Sequence, residues 1–254
     1  DMYLISPQLP QFKANLHCHS TLSDGKLTPE QLKAIYKEQG YQVLAITDHE
    51  IPRSHSHMSE PDFLMLTGYE HYTRPGATGK YDRYACEVHL NFFAKDPDNE
   101  TIVCYDPRFC KYAAAEYYDA IPHAGSTQPR EYTPAYVNRV IQTARDSGYL
   151  VAYNHPYWSM ESEADILSYE GCFSMEMINY SSYLLNHLEY NAPLYDKLLS
   201  AGKRIYCHGA DDNHNGHPVG SPYCDSFGGF TMIQAKSLNY KEIIEAMETG
   251  NMYS

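Results

Sequence analysis

One repeating unit governs what this chain can fold into: a short apolar run, a polar turn carrying His or Asp, and then, in most cases, a helical stretch. The clearest run, residues 41–47, is almost continuously apolar, the pattern of a strand covered on both faces in a parallel sheet. A strand is expected before it at 13–19, and others at 63–67, 88–94, 149–154, 173–179, 204–209 and 229–234. Residues 27–40 read as a helix, with Thr28 as N-cap, Pro29 at the first helical position and Gly40 as the stop. Leu32, Ile35 and Tyr36 give that helix one apolar face. Helices are also expected at 134–147, 164–169, 192–201 and 240–249. Strands alternating with helices imply a parallel sheet, and seven or eight strands in 254 residues point to one TIM-like α/β barrel spanning residues 1–254 as a single domain. Residues 71–87 and 95–132, long and rich in Gly, Pro and Tyr, are expected as loops over the active-site face.

Charge narrows the partners. The formal net charge is −13 and no Lys/Arg-rich run occurs, so neither nucleic acid nor an anionic membrane surface is an expected partner. An anionic substrate would then need bound cations to receive it. Seven cysteines, none in a C-x-x-C pair, argue against a structural zinc knuckle or a dense disulfide framework and suit a reducing, cytoplasmic setting. No apolar run approaches a membrane span, and the first ten residues do not read as a signal peptide, although a chain opening on Asp could have lost an earlier segment.

The chemistry sits at the strand ends. His17 and His19, two apart in a strand, point to the same face and could converge on one cation. Such a pair alone says little, because histidine is often a half-buried polar residue. Its company is more telling: Asp24 in a Ser-Asp-Gly turn, His49 in Thr-Asp-His, Glu70 in Gly-Tyr-Glu, His89, His155 in Asn-His-Pro, and Asp212 with His214 in Asp-Asn-His. Parallel barrels build active sites on the rim where these residues are expected. Imidazoles and carboxylates without cysteine suit Zn, Mn or Fe, and nine candidate ligands with Glu70 bridging suffice for two or three divalent ions.

In this order the motifs resemble the PHP (polymerase and histidinol phosphatase) superfamily. The stretch from Asn15-Leu16-His17-Cys18-His19-Ser20 to Ala45-Ile46-Thr47-Asp48-His49, with the closing Gly250-Asn251-Met252-Tyr253-Ser254, is especially similar to its CehA/McbA-type metallohydrolase branch. The resemblance spans nearly the whole chain. It implies a distorted (β/α)7 barrel holding two or three metals and, usually, phosphoester hydrolysis. By that resemblance His17, His19, Glu70 and Asp212 hold one metal, Glu70, His89 and His155 a second, and Asp24, His49 and His214 a third. Many trinuclear members carry His where this chain has Asp24, and residues 95–132 do not resemble the insertion of nucleotide-hydrolysing relatives. Glu70 and His214 are the residues expected to act in catalysis.

Other positions have a functional and a plain reading. Asp48 is expected to orient His49 or a neighbour rather than to bind metal, and Asp211 is the alternative to Asp212 as ligand. His55 and His57 form a second H-x-H, read as a solvated loop. His123 and Arg130 could cover the pocket, Arg130 as a bidentate phosphate donor, or could be surface residues. Tyr157 and Trp158 could wall the pocket or pack the loop. The expected substrate is a small, phosphorylated ester hydrolysed by a metal-activated water, with Arg130 and Tyr157 as substrate-binding residues. The competing readings are a carboxylic or carbamic ester hydrolase and a catalytically silent metal-binding module.

Overall fold

The computed structural model describes residues 5–75, 86–127 and 129–254. In chain order the elements are β1 (Gln11–Asn15), α1 (Pro29–Glu38), β2 (Val43–Ile46), β3 (Leu64–Thr73), β4 (Val88–Ala94), β5 (Ile102–Val103), α2 (Ala115–Ala120), β6 (His123–Ala124), α3 (Pro134–Asp146) and β7 (Tyr149–Tyr153). They continue with α4 (Glu163–Ser168), β8 (Ser174–Asn179), α5 (Tyr180–Asn186), α6 (Ala192–Ser200), β9 (Tyr206–Ala210), β10 (Thr231–Gln234), α7 (Tyr240–Glu248) and β11 (Met252–Tyr253). Thr28 caps α1 in a reciprocal box with Gln31, and Pro29 opens the helix, as its sequence signals require.

Nine strands form one sheet in the order β11-β10-β1-β2-β3-β4-β7-β8-β9. The two ends of the sheet curl together, β9 meeting β10: Gly209 N–H donates to Thr231 Oγ1 at 3.1 Å, and that hydroxyl donates back to Gly209 O at 2.8 Å. A Cβ on Gly229 would stand 2.1 Å from Ala210 O, so this approach demands glycine. The result is the nearly closed α/β barrel that the motif order implies. Its interior is filled by alternate residues of the strands, among them Leu16, Ala45, Leu66 and Phe93, and α7 packs Ile243, Ile244 and Met247 into the same cluster. Helices α1 and α3 cover outer faces through Leu32 and Tyr36, and through Val137, Val140 and Ile141.

Three expectations need correction. The sheet is mixed rather than parallel: β4 runs antiparallel to both β3 and β7, and β10 antiparallel to β1. No helix separates β3 from β4 among the described residues, which lets consecutive strands pair directly. Of the expected loop at 71–87, His71–Thr73 continue β3, and residues 76–85 lie outside the described residues. The 95–132 region carries β5, α2 and β6 and buries Ile102, Val103, Phe109 and Tyr118, so it is part of the core as well as cover. No helix among the described residues is long and apolar enough to cross a membrane.

Arg130 is what fastens this region down. Its guanidinium is fully buried and donates to Glu50 Oε1 at 2.6 Å, Glu50 Oε2 at 2.9 Å and Tyr72 O at 2.6 Å, with the Phe109 ring 4.8 Å away. The expected substrate contact is therefore not made: the fork that could grip a phosphate is already spent on a buried carboxylate. Removing one partner of such a pair strands the other charge, at a cost of about 3–5 kcal/mol. Arg130→Ala should lower the unfolding midpoint in a thermal or urea melt by that scale of free energy. An exposed pair such as Lys197–Glu163 should show a change near zero when broken by Lys197→Ala.

Candidate metal centre

Glu70 lies within β3, paired through its backbone to the loop after β2: Glu50 N–H donates to Glu70 O at 2.8 Å. Gly68, two residues earlier on the same face, faces Phe92 O so closely that a Cβ would sit 2.5 Å from it; glycine lets β3 and β4 close up here. The Glu70 carboxylate is buried and meets five imidazoles. His89 Nδ1 and His49 Nδ1 are each 3.0 Å from it, and His17 Nε2, His19 Nε2 and His155 Nε2 each 3.3 Å. Asn154 Nδ2 adds a hydrogen bond at 2.7 Å.

His17 and His19 follow the end of β1, and their Nε2 atoms face each other at 3.2 Å. Asp212 Oδ1 closes this group, 3.1 Å from His17 Nε2 and 3.0 Å from His19 Nε2. Asp24, His49 and His214 gather with His19 into a second group, with His214 Nε2 3.5 Å and His49 Nε2 3.7 Å from Asp24. His49, Glu70 and His89 form a third, within which all ligand atoms lie within 4.8 Å of one another. His155 stands beside this last trio, reaching Glu70 Oε1 and, at 3.9 Å, Asp212 Oδ2. The nine expected ligands are thus brought to one place, although His49 takes a position by Glu70 that the resemblance gave to His155. His89 arrives by an unexpected route. It starts β4, and because that strand is antiparallel its first residues lie at the mouth where the parallel strands end.

The protonation pattern suits cations. Glu176, buried on β8, accepts from His17 Nδ1 at 2.6 Å and from the His155 N–H at 2.7 Å. With Nδ1 committed to Glu176, it is Nε2 that faces another imidazole nitrogen and two carboxylates; burial opposes charge on this ring, but Asp212, Glu70 and Glu176 raise its pKa well above the usual value. Likewise His214 Nδ1 can only donate to Asp212 O, 2.9 Å away, which leaves its Nε2 lone pair facing Asp24. Burial opposes charge on His19 and His89, but the carboxylates facing them, Asp212 and Glu70 for the first and Glu70 with Glu87 for the second, hold each imidazole up at about 10. His49 goes the other way: burial brings it down to about 3. Burial also opposes ionisation of Asp212, yet the surrounding histidines depress it strongly. Three groups of imidazole and carboxylate atoms, each within 4.8 Å of one another and each drawing positive charge to its rings, fit a multinuclear centre.

The neighbours divide into supports and walls. Asp48 accepts from Ser20 N–H at 2.7 Å, Ser20 Oγ at 2.6 Å and Ser23 Oγ at 2.6 Å, so it braces the turn that carries Asp24 rather than His49. Asp211 is turned away, accepting the N–H groups of Phe227, Gly228 and Gly229 and the Tyr36 hydroxyl. Asp212 and His155 hold positive φ of 54° and 24°, backbone strain of the kind that surrounding structure must impose. Above the ligands opens a cleft of about 590 Å³, lined among others by Tyr112, Trp158, Arg74 and Lys111. Tyr112 stacks on His49 with ring centroids 5.5 Å apart, and Trp158 lies edge-on to His155 at 4.8 Å. Tyr157 is a correction: it is half exposed, does not line the cleft, and anchors its turn through a backbone N–H to Glu189. His123 is exposed and bonded to Tyr118 O, while His55 is buried rather than solvated, its pKa lowered by burial to about 4.

Sequence reasoning missed Glu176, Glu87 and Asn179. Glu87 lies 3.4 Å from His89 Nε2, and Asn179 Nδ2 bridges Glu176 Oε2 and Asp212 Oδ2 at 2.9 and 3.0 Å. The signal for Glu87 was its place two residues before His89, just ahead of β4, the spacing at which an extended chain turns side chains to one face. Outer carboxylates that orient a ligating histidine are typically worth about 10–100-fold in metal affinity. Glu176→Ala should therefore weaken Zn²⁺ or Mn²⁺ binding by that range in a chelator competition, with Glu176→Gln intermediate because the amide oxygen can still accept from Nδ1.

Residues 15–191 match the family model of the PHP domain. A stretch of 143 residues is 29% identical to a 5'-3' exoribonuclease of Haemophilus influenzae, covering 55% of this chain and 50% of that protein, so the chain spans about half the length of this curated relative. Among solved structures, a two-domain protein of Bacteroides vulgatus containing a predicted PHP-like metal-dependent phosphoesterase shares the fold with a TM-score of 0.56 at 16% identity. That likeness covers 99% of this chain and 66% of the other, just under two thirds of its length. A sulfate-bound, metal-free amidohydrolase of Chromobacterium violaceum gives a TM-score of 0.51 at 16% identity, covering 83% and 93% of the two chains. With a family model matched over well more than half of its residues and the fold of that family around a His/Asp/Glu cluster, the chain belongs to the PHP domain family, whose members depend on metals.

Proposed function

We propose that this protein hydrolyses small phosphate esters, monoesters first, using two or three divalent ions (Zn, Mn or Fe) held by His17, His19, Asp24, His49, Glu70, His89, His155, Asp212 and His214. The observation that carries the reading is the Glu70 carboxylate, which touches imidazoles on both sides of the cluster and so can join adjacent ion positions. Ions so placed would acidify a bound water and neutralise the phosphoryl oxygens, which a chain of net charge −13 otherwise could not. The protein's own residues supply placement. Glu70 and Asp212 set the spacing of the ligands, Glu176 and Asp48 hold their supports, and the Tyr112 and Trp158 rings shield His49 and His155 from solvent on the cleft side. Lys111 and Arg74 line the cleft, where they can meet a phosphate in place of Arg130. Ser181 and Ser182 reach the cleft, and among the described residues no histidine hydrogen-bonds to either hydroxyl, so a water rather than a side chain is the favoured nucleophile. The Haemophilus influenzae relative is named for action on RNA, but the acidic balance here and the absence of a basic run favour a small ester.

Elemental analysis of protein purified without chelator should give two or three transition-metal ions per chain; one or fewer, with no gain on adding Zn²⁺ or Mn²⁺, contradicts the multinuclear reading. Glu70→Gln keeps the shape but removes the shared charge, so metal occupancy should collapse and turnover should fall on the order of a hundredfold or more. His57→Ala, at an exposed site away from the cluster, should change neither. In ¹⁸O-labelled water a single turnover of a chromogenic phosphomonoester should place the label in the released phosphate. A phosphoenzyme trapped by acid quench, or turnover only of a short RNA or a carboxylic ester, refutes the proposal.

A further inference from the structure

The described residues expose twelve large apolar side chains, and their distribution is uneven. Two lie in residues 157–160, four in 183–190 and two in 219–223. Each segment sends a side chain to the lining of the cleft: Trp158 from the first, Leu184 and Leu185 from the second and Tyr223 from the third. The backbone N–H groups of Tyr157 and Trp158 donate to Glu189 at 3.1 and 2.8 Å, which joins the first segment to the second. Leu184, Leu185 and Tyr223 line the same cleft as His49, Glu70 and His214, which joins the second to the third. Leu185 is 75% exposed and Tyr223 69% exposed, although each stands beside a ligand-bearing wall.

A solvent-facing apolar collar around a polar floor has a cost in water, and contiguous patches of this sort mark binding surfaces. Its continuity with the ligand cluster identifies the occupant as part of whatever the cluster acts on. Lys111, Arg74 and Glu87 come from the chain around β4 and the 95–132 region, while Leu184 and Leu185 belong to α5 and Tyr223 to the loop after β9, which also carries Asp212 and His214. Polar and apolar groups thereby line one opening, the combination by which apolar sites orient a ligand with a few polar groups.

Resting on the phosphoester reading above, we propose that the ester's leaving group is apolar, an alkyl or aryl alcohol seated against Leu184, Leu185 and Tyr223, and that these residues determine specificity. The phosphate end faces the ligands and the alcohol end the collar. A sugar or glycerol leaving group would leave the collar in contact with hydroxyls and gain nothing from it.

The test compares glycerol 1-phosphate, n-butyl phosphate and n-octyl phosphate, all esters of primary alcohols, on the metal-loaded full chain below any micelle concentration. Each fully buried methylene is worth about fourfold, and a partly covered chain less, so kcat/KM for the octyl ester should exceed that for the butyl ester by at least about tenfold. The double variant Leu185→Ser/Tyr223→Ser, at two exposed positions, should reduce that ratio to below about threefold, whereas Leu199→Ser, an exposed leucine on α6, should leave it as in the wild type. Equal kcat/KM for the three esters, or a ratio untouched by the double variant, overturns the inference. Calorimetry with n-butylphosphonate and n-octylphosphonate separates it from the reaction itself. If no ester is hydrolysed yet the octyl compound binds about tenfold tighter and the double variant abolishes the difference, the phosphoesterase reading fails and the apolar site stands. A chain that self-associates through the collar in sedimentation, with the double variant monomeric and no chain-length preference in either assay, assigns the collar to a second copy and overturns the inference.

Discussion

The Glu70 carboxylate is the group on which this structure turns. An ionised carboxylate taken out of water is costly unless several partners replace its hydration, and here hydrogen bonds from His89, His155 and the Asn154 amide do so, with His17, His19 and His49 close around it. The partners come from four separated places in the chain, after β1, after β2, in β4 and after β7, so the barrel must close before the charge is satisfied. Burial works against Glu70's charge, yet the histidines around it hold its pKa well below the usual carboxylate range. The same residues that make the charge tolerable in the fold are those that would share it with metal ions.

Around that group the molecule is layered. Glu176, Asn179 and Asp48 do not touch the cleft's contents; they fix the rings, the Asp212 carboxylate and the Asp24 turn that do. Beyond them, Arg130 holds Glu50, the residue after His49, and so ties the 95–132 region to the ligand loop through a buried ion pair. The Tyr112 ring, carried by that region, then lies flat over His49. Cover and ligand are positioned by one another: the region cannot shift without disturbing either the Glu50 backbone, already at a φ of 56°, or the stack on His49.

Much of this was legible in the sequence, for definite reasons. Short-range signals carry α1, whose cap, proline and apolar face are all local, and the strands β2 and β7, whose apolar runs are continuous. The ligands were legible because each sits in a short polar motif directly after or within such a run. What could not be read is what depends on long-range pairing. The reversed β4 looks like any other strand in sequence, and only its partners β3 and β7 define its direction. Glu176 lies in a strand whose apolar neighbours conceal it, and its partner His17 is 159 residues away. Arg130 was misread because a guanidinium suits a buried carboxylate as well as a phosphate, and the sequence alone does not say that Glu50 is there.

The reversal of β4 also shapes the chemistry. Had β4 run parallel to its neighbours, residues 87–89 would open at the far end of the barrel from Glu70. Reversed, the strand delivers His89 to the Glu70 carboxylate and Glu87 to the far side of the same ring, so one imidazole stands between two carboxylates at 3.0 and 3.4 Å. A neutral His89 can make one of those contacts as donor but must present a lone pair to the other, and only a proton or a metal ion reconciles it with both. The strand that breaks the parallel pattern thus gives this wall of the mouth its need for positive charge. Leu184 and Leu185 of α5, which line the same cleft, make no such demand. Charged and apolar groups thus reach one cleft from two pieces of the barrel that depart from the simple repeat: β4 by its direction, and α5 by starting directly at the end of β8.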